Sequence, residues 1–296
     1  MRYILITPAR NEEAFLEETI RSVTRQTLLP ERWVIVSDGS TDRTDEIIRD
    51  HAARHAWVLY LRLPEHADRH FAAKARAFAA GYAAVGTILH DVVGNLDADL
   101  SFDPEIMRFL MGRFAEDPTL GVAGVPFVEP SGESYDYRFT NIEHVSGACQ
   151  LFRRECFEAV GGYKPMEGGG IDWLAVTTAR MMGWRTRTFT EKSVLHHRKT
   201  GTGQSGKLGA LYRQGAKDFH LGNHPVWQLF RSFYQMKNRP YGIGGLALLA
   251  GYFGCPLRGC RRTIPPEVVR FGRREQMARL AAAFGIGRRH LSPPPL

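Results

Sequence analysis

Over the first ~120 residues short apolar runs alternate with amphipathic stretches, the sequence pattern of βαβ units around a parallel sheet. Tyr3-Ile4-Leu5-Ile6 predicts a first strand. After it Asn11 is placed to cap a helix in which Phe15, Leu16, Thr19, Ile20 and Val23 share one face, with Glu12 and Glu13 in the favourable first turn. Trp33-Val34-Ile35-Val36 predicts a second strand running into Ser37-Asp38-Gly39-Ser40. A helix near 43–55 leads to a third strand, Val58-Leu59-Tyr60-Leu61, and an alanine-rich helix is expected over roughly 71–85. Val92 to Leu96 makes a strand that ends in Asp97-Ala98-Asp99, and Asp103-Pro104 opens a helix with Ile106, Phe109, Leu110 and Phe114 inward. Residues 120–200 read as mixed short strands and helices, so the fold class is α/β.

Composition narrows the class without changing it. At 296 residues, 44% hydrophobic and 24% charged, the chain can bury a full core. The formal charge of +8 is concentrated at one end: from Arg258 onward nine arginines face only Glu267 and Glu275, and the rest is close to neutral. A nucleic-acid-binding domain spreads its charge over a groove-facing surface, so nucleic acid is not an expected partner. Cys149, Cys156, Cys255 and Cys260 show no paired C-x-x-C spacing and make a poor disulfide framework, which fits a reducing cytoplasm. The N-terminus reaches charged residues too soon for a secretory signal, so the chain is expected to start on its first strand.

Three polar clusters fall at predicted strand ends: Pro8 to Glu12, Asp38 to Asp42, and Asp97 to Asp99. In an open parallel sheet such ends face the ligand crevice. Carboxylates two apart on an extended chain point the same way, so Asp97 and Asp99 suit a hard divalent cation, Mn²⁺ or Mg²⁺, that neutralises a departing diphosphate. Capping of the next helix or turn is the alternative use of such aspartates.

With order and spacing considered together, Ile6-Thr7-Pro8-Ala9-Arg10-Asn11-Glu12-Glu13, Ser37-Asp38-Gly39-Ser40-Thr41-Asp42 and Leu96-Asp97-Ala98-Asp99 resemble glycosyltransferase family 2. The resemblance implies a GT-A-like fold, a Rossmann-like mixed and mainly parallel sheet flanked by helices, here with a C-terminal helical extension. It implies that residues 1–205 form the transferase domain, 1–120 its nucleotide-sugar half and 121–205 its acceptor half, with 206–296 the basic helical extension. It further implies inversion at the anomeric carbon, a nucleotide-diphosphate sugar donor and a divalent metal. Pro8, Ala9, Arg10, Glu12, Asp38 and Gly39 match donor positions, as do Asp97 and Ala98, while Asp97 and Asp99 match the metal positions. Lys74 or Arg76 corresponds to a basic residue near the donor, with a solvated helix charge as the alternative.

The second half carries the resemblance on through Ser146 to Arg154, Gly161-Gly162-Tyr163 and Gly170-Ile171-Asp172-Trp173. The usual Glu-Asp pair reads Ile171-Asp172 here, which leaves Asp172 as the expected general base on an acceptor hydroxyl. Capping of the following helix is its structural alternative, and Glu167 is the second candidate base. One of His196 and His197 is expected to complete the metal site, since neighbours on a strand face opposite ways. Arg198 to Lys207 forms a glycine-rich basic loop suited to closing over a diphosphate, but it lacks the order of an ATPase phosphate loop.

Tyr241 to Leu257 holds no charge, and seventeen residues are at the lower limit for spanning a bilayer. A buried, interfacial or re-entrant helix ranks ahead of a spanning one. With the arginines that follow and the apolar set Val268, Val269, Phe271, Met277, Leu280 and Phe284, it suggests peripheral contact with the cytoplasmic face of the inner membrane and a carbohydrate or lipid-linked acceptor. Packing on the body or on a second subunit is the alternative. A sugar nucleotidyltransferase would carry a glycine-rich loop where Pro8 to Glu12 stands, and a non-catalytic nucleotide-sugar-binding protein would not need Asp97, Asp99 and Asp172 together.

Overall fold

The computed structural model describes residues 1–65, 71–85, 87–130, 132, 141–166, 168–198 and 206–285. It falls into two compact units, Met1–Lys199 and Thr200–Leu296.

Along the first unit run β1 (Tyr3–Ala9), α1 (Leu16–Thr24), β2 (Arg32–Asp38), α2 (Thr44–Arg54), β3 (Val58–Leu63), α3 (Phe71–Ala84), β4 (Val92–Leu96) and β5 (Leu100–Phe102). Then come α4 (Ile106–Glu116), β6 (Leu120–Gly124), β7 (Phe127–Val128), β8 (Cys149–Arg153), α5 (Arg154–Val160), α6 (Ile171–Met181), β9 (Arg185–Thr188) and β10 (Val194–His196). Seven strands form one sheet in the order β3-β2-β1-β4-β8-β6-β9, and β5-β10-β7 form a small second sheet. From β3 to β4 the strands are parallel, β8 is antiparallel to both its neighbours, and β9 returns parallel to β6.

Both faces of β1, β2 and β4 are covered, so their residues are nearly all buried and mostly apolar rather than alternating, while the edge strand β3 leaves Leu59 and Arg62 exposed. Tyr3 and Leu5 share a core with Leu16, Ile20 and Val23 of α1, Ile48 of α2 and Ile106, Leu110 and Phe114 of α4. Ile6 faces the other way, where α3 lies so close that a methyl at Gly81 would stand 2.7 Å from the Ile6 side chain. Thr19, a polar residue on the buried face of α1, donates to the Leu100 carbonyl and accepts from the Leu100 amide, both at 2.9 Å. Burial is thereby reconciled with its hydroxyl.

The expected strands and helices stand where the pattern puts them, with one local correction. Asn11 does not cap α1, which begins at Leu16 after Phe15 and has Glu17 and Glu18 in its first turn. Instead Asn11 sits at φ 54°, a left-handed conformation that Asn tolerates, and its side chain accepts from the Thr41 amide at 2.8 Å.

The second unit is helical: α7 (Lys207–His220), α8 (Pro225–Gln235), α9 (Ile243–Leu257) and α10 (Pro266–Ala283). Its packing explains Gly245 and Gly251 of the uncharged stretch, and Gly215 of α7. A methyl at Gly251 would collide with the Tyr212 carbonyl, one at Gly215 with the Leu248 carbonyl, and one at Gly245 with the Ser232 carbonyl. Backbones of α7, α8 and α9 therefore meet directly through small residues. The 15 residues of α9 extend about 22 Å. No helix among the described residues is long and apolar enough to cross a membrane.

Candidate active site

The loops after β1 and β2 are fastened to each other by side chains on backbone amides. The Asn11 amide donates to Ser40 Oγ at 3.2 Å, that of Glu12 to Thr44 Oγ1 at 2.8 Å, and that of Glu13 to Asp42 Oδ2 at 3.1 Å. In return the Arg43 amide donates to Glu13 Oε2 at 3.0 Å. Ala9, Asp38 and Gly39 are buried at this junction, Pro8 and Arg10 are half-buried, and Gly39 supplies a turn at φ 66°. Two of the expected donor clusters thus form one continuous rim at the carboxyl edge of the sheet.

The third cluster lies at the end of β4. The Asp97 amide donates to the Ala148 carbonyl at 2.9 Å, and Lys74 of α3 reaches Asp97 Oδ1 with its ammonium at 2.5 Å. Burial lowers the pKa of Lys74, but Asp97, Asp172 and Asp99 outweigh it and the ammonium is held charged. Arg76, its alternative, is exposed on the same helix. Ala98 and Asp99 are buried, and burial followed by the Asp97 charge pushes the Asp99 carboxyl upward while His196, Arg198 and Lys74 pull it back.

Antiparallel pairing of β10 with β5 sets His196 opposite Leu100, and so brings its Nε2 to 3.5 Å from Asp99 Oδ1. The other ring nitrogen, Nδ1, donates to the Arg198 carbonyl at 2.5 Å, which turns the Nε2 lone pair toward the carboxylates. His197 is left out of the cluster: its Nε2 bonds Ser101 Oγ at 3.0 Å and its ring stacks on Phe15. Arg198 ties the rim to the cluster, donating to Glu12 Oε2 at 2.5 Å and lying 3.9 Å from Asp99 Oδ2. Burial raises the Glu12 carboxyl to about 7 against the opposing pull of Arg198.

Asp172 stands in the first turn of α6, whose N-cap is Gly170 in a left-handed conformation with no side-chain cap. Asp172 is thus not the N-cap residue, and its carboxylate accepts from the Gly147 amide at 3.2 Å. The carbonyl of that same Gly147 accepts from Asn95 Nδ2 at 2.5 Å, and Asn95 also reaches Asp97 Oδ1 at 3.3 Å. One peptide segment before β8 therefore positions both Asp172 and Asp97. Asn95 was not among the residues expected to serve the site, although the pattern held a signal: a polar residue in an apolar strand, two before Asp97 and so on the same side. Below them Tyr163 donates to Gln150 Oε1 at 2.5 Å, its phenol pushed well above its ordinary range by burial, then by Asp172 and Asp97. Glu167 and residues 199–205 of the basic loop lie outside the described residues.

Asp97, Asp99 and His196 offer three ligand atoms within 4.8 Å of one another. Two carboxylate oxygens and an imidazole are a donor set for Mn²⁺ or Mg²⁺, and the mutual crowding of the two carboxylates is what a divalent cation relieves. The residues fit such an ion.

Comparison with known proteins bears on the fold and the family. Among solved structures, the fold matches a mannosyltransferase of Pyrobaculum calidifontis, PcManGT, in complex with GDP-Man and Mn²⁺, at a TM-score of 0.56 and 21% identity over 97% of this chain and 76% of that one. It also matches S. aureus TarS in complex with UDP-GlcNAc, at a TM-score of 0.60 and 13% identity over 98% and 93%. At such identities the likeness is one of fold. A 54-residue stretch is 44% identical to EpsJ of Bacillus subtilis (strain 168), an uncharacterized glycosyltransferase, and covers 18% of this chain and 16% of that protein. The family model for glycosyl transferase family 2 matches residues 4–161, more than half of the chain and the whole run from β1 to α5, so the chain belongs to glycosyltransferase family 2.

Proposed function

We propose that this transferase moves a sugar from a nucleoside-diphosphate donor to an acceptor hydroxyl with inversion, in a metal-dependent reaction that builds a polysaccharide or glycoconjugate. The observation that carries the reading is the joint anchoring of Asp172 and Asp97 on Gly147, beside Asp99 and His196. Residues 1–120 take the donor, residues 121–205 the acceptor, and 206–296 form the extension. Asp97, Asp99 and His196 would hold Mn²⁺ or Mg²⁺, whose bound charge stabilises the departing diphosphate. Pro8, Ala9, Arg10, Glu12, Asp38 and Gly39 form the nucleotide rim, and Lys74 meets a diphosphate oxygen with the ammonium it now holds on Asp97. Asp172 removes the acceptor proton as the hydroxyl attacks the anomeric carbon from the face opposite the leaving group. Attack from that side is what inverts the centre.

A second reading concerns where the enzyme works: at the cytoplasmic face of a membrane, on a carbohydrate or lipid-linked acceptor. It is supported by Val226, Leu229 and Phe233 of α8 and Ile243, Leu246, Phe253 and Leu257 of α9, all exposed, next in sequence to the arginine-rich end. Free cysteines are consistent with a reducing compartment.

The test is calorimetry of the purified chain with Mn²⁺ or Mg²⁺ against uridine, guanosine and thymidine diphosphates and their sugar conjugates, repeated with Asp99→Ala. Metal-dependent binding lost in the variant supports the reading and names the base. Absence of metal-dependent binding to all of them leaves a degenerate scaffold as the better account.

A further inference from the structure

A second set of metal-ligand side chains comes together in the helical unit. His220 at the end of α7, Cys255 in the last turn of α9 and Cys260 beyond that helix each present a ligand atom within 4.8 Å of the others. Cys255 Sγ stands 3.9 Å from His220 Nε2. A tetrahedron built on Zn–S of about 2.3 Å and Zn–N of about 2.0 Å has an S···N edge of about 3.5 Å, so a small adjustment closes the site.

The surroundings are arranged for coordination. His220 Nδ1 faces the Arg261 carbonyl at 3.2 Å, and since a carbonyl only accepts, the proton is on Nδ1 and the Nε2 lone pair points at the sulfurs. After α9 the chain turns back on itself: Gly259 takes φ 74°, and the Cys260 amide donates to the Cys255 carbonyl at 3.1 Å. That turn sets the second thiol over the first. Both thiols are free, Cys255 buried and Cys260 half-buried. Arg258 in the same turn favours a Cys255 thiolate, while burial and the neighbouring Cys260 hold the metal-free thiol protonated, so the metal itself must displace the proton.

We infer that His220, Cys255 and Cys260 form a zinc site that clamps the end of α7 to the end of α9. Two sulfurs and an imidazole are a borderline-soft set, which selects Zn²⁺ over the hard cations suited to Asp97 and Asp99. Each thiol loses its proton on binding, so two protons are released per ion, and water takes the fourth position. The site does not depend on the sugar-transfer reading. It escaped the sequence pattern because the spacing Cys255-x₄-Cys260 has no nearby histidine, His220 lying 35 residues upstream of Cys255.

The experiment is titration of the reduced full-length chain with Co²⁺, a spectroscopic stand-in for zinc, together with elemental analysis of protein purified without chelator. One equivalent of Co²⁺ should produce thiolate-to-cobalt charge-transfer absorption that persists in Asp99→Ala and is displaced by Zn²⁺. Since Cys255 is buried and its replacement risks the fold, the variants are Cys260→Ser and His220→Gln. Each should weaken zinc by about 100-fold or more, because loss of even an outer-shell partner costs 10–100-fold. Absence of the charge-transfer band, its survival in both variants, or a Cys255–Cys260 disulfide with no zinc uptake after reduction would overturn the assignment.

Discussion

Asp172 separates positioning from chemistry at the level of one residue. Its carboxylate accepts from Gly147, a bond that an amide oxygen can also accept, so Asp172→Asn is expected to keep the fold and donor binding. With Asp172 as the proposed base, the variant should lower kcat by about 10²–10⁴-fold with donor affinity unchanged, read by transfer kinetics beside calorimetry. Donor affinity falling in step with kcat would count against a role as base. Glu12 makes a second prediction, in pH. Its folded pKa, about 7, lies above the ordinary value of 4.5, so the folded state holds a proton that the unfolded state releases. Stability must then fall as the pH rises through that window. Thermal unfolding with chelator present, compared between the natural chain and Glu12→Gln, should show the variant gaining relative stability from pH 5 to pH 8. A difference that does not change with pH would refute a buried, raised Glu12.

At the level of elements, two glycines mark close approaches, one to a side chain and one to a backbone. A methyl at Gly147 would lie 3.0 Å from Asp172 Cβ and 3.3 Å from its Oδ2, so Gly147→Ala should push that carboxylate aside. The expected outcome is reduced turnover in a protein whose unfolding midpoint is nearly unchanged, measured by kinetics and calorimetric scanning. Gly251 tests the packing of α9 on α7, because its methyl would meet the Tyr212 carbonyl rather than a side chain that can rotate away. Gly251→Ala should destabilise the helical unit by about 1–3 kcal/mol, the usual range for overpacking, as read by urea unfolding. Of the elements around these glycines, the sequence marked α9 by its uncharged run and α6 by the residues after Asp172, while β8, α7 and α8 were read only as parts of mixed or helical stretches. The contacts were not legible: nothing in the run Gly244-Gly245-Leu246 tells a membrane segment from a helix that needs glycine to approach its neighbour.

For the whole molecule, the distribution of charge and exposed apolar surface leads to a prediction about location. If the extension contacts an anionic bilayer, sedimentation with vesicles containing phosphatidylglycerol should fall with added salt and fall again in a Phe233→Ser, Leu246→Ser, Phe253→Ser variant, while transfer to a soluble acceptor is retained. Equal recovery with neutral and anionic vesicles would remove the electrostatic part of the idea. The sequence by itself determined the α/β class, the parallel strands from β1 to β4 and the placing of three polar clusters at strand ends, because each depends on the local period of apolar residues and on where it stops. It also singled out Asp172, from a motif within one turn of a helix. Only the tertiary structure decided which histidine joins the acidic cluster, since pairing of β10 with β5 brings together residues 97 positions apart and seats His196 by Asp99 and His197 against Phe15. It decided in the same way that Asn11 bridges two loops instead of capping a helix, that Asn95 and Gly147 position the carboxylates, and that His220 meets two cysteines. Such partners are chosen by sheet register and helix packing, which depend on the whole core and leave no periodic trace in the local sequence.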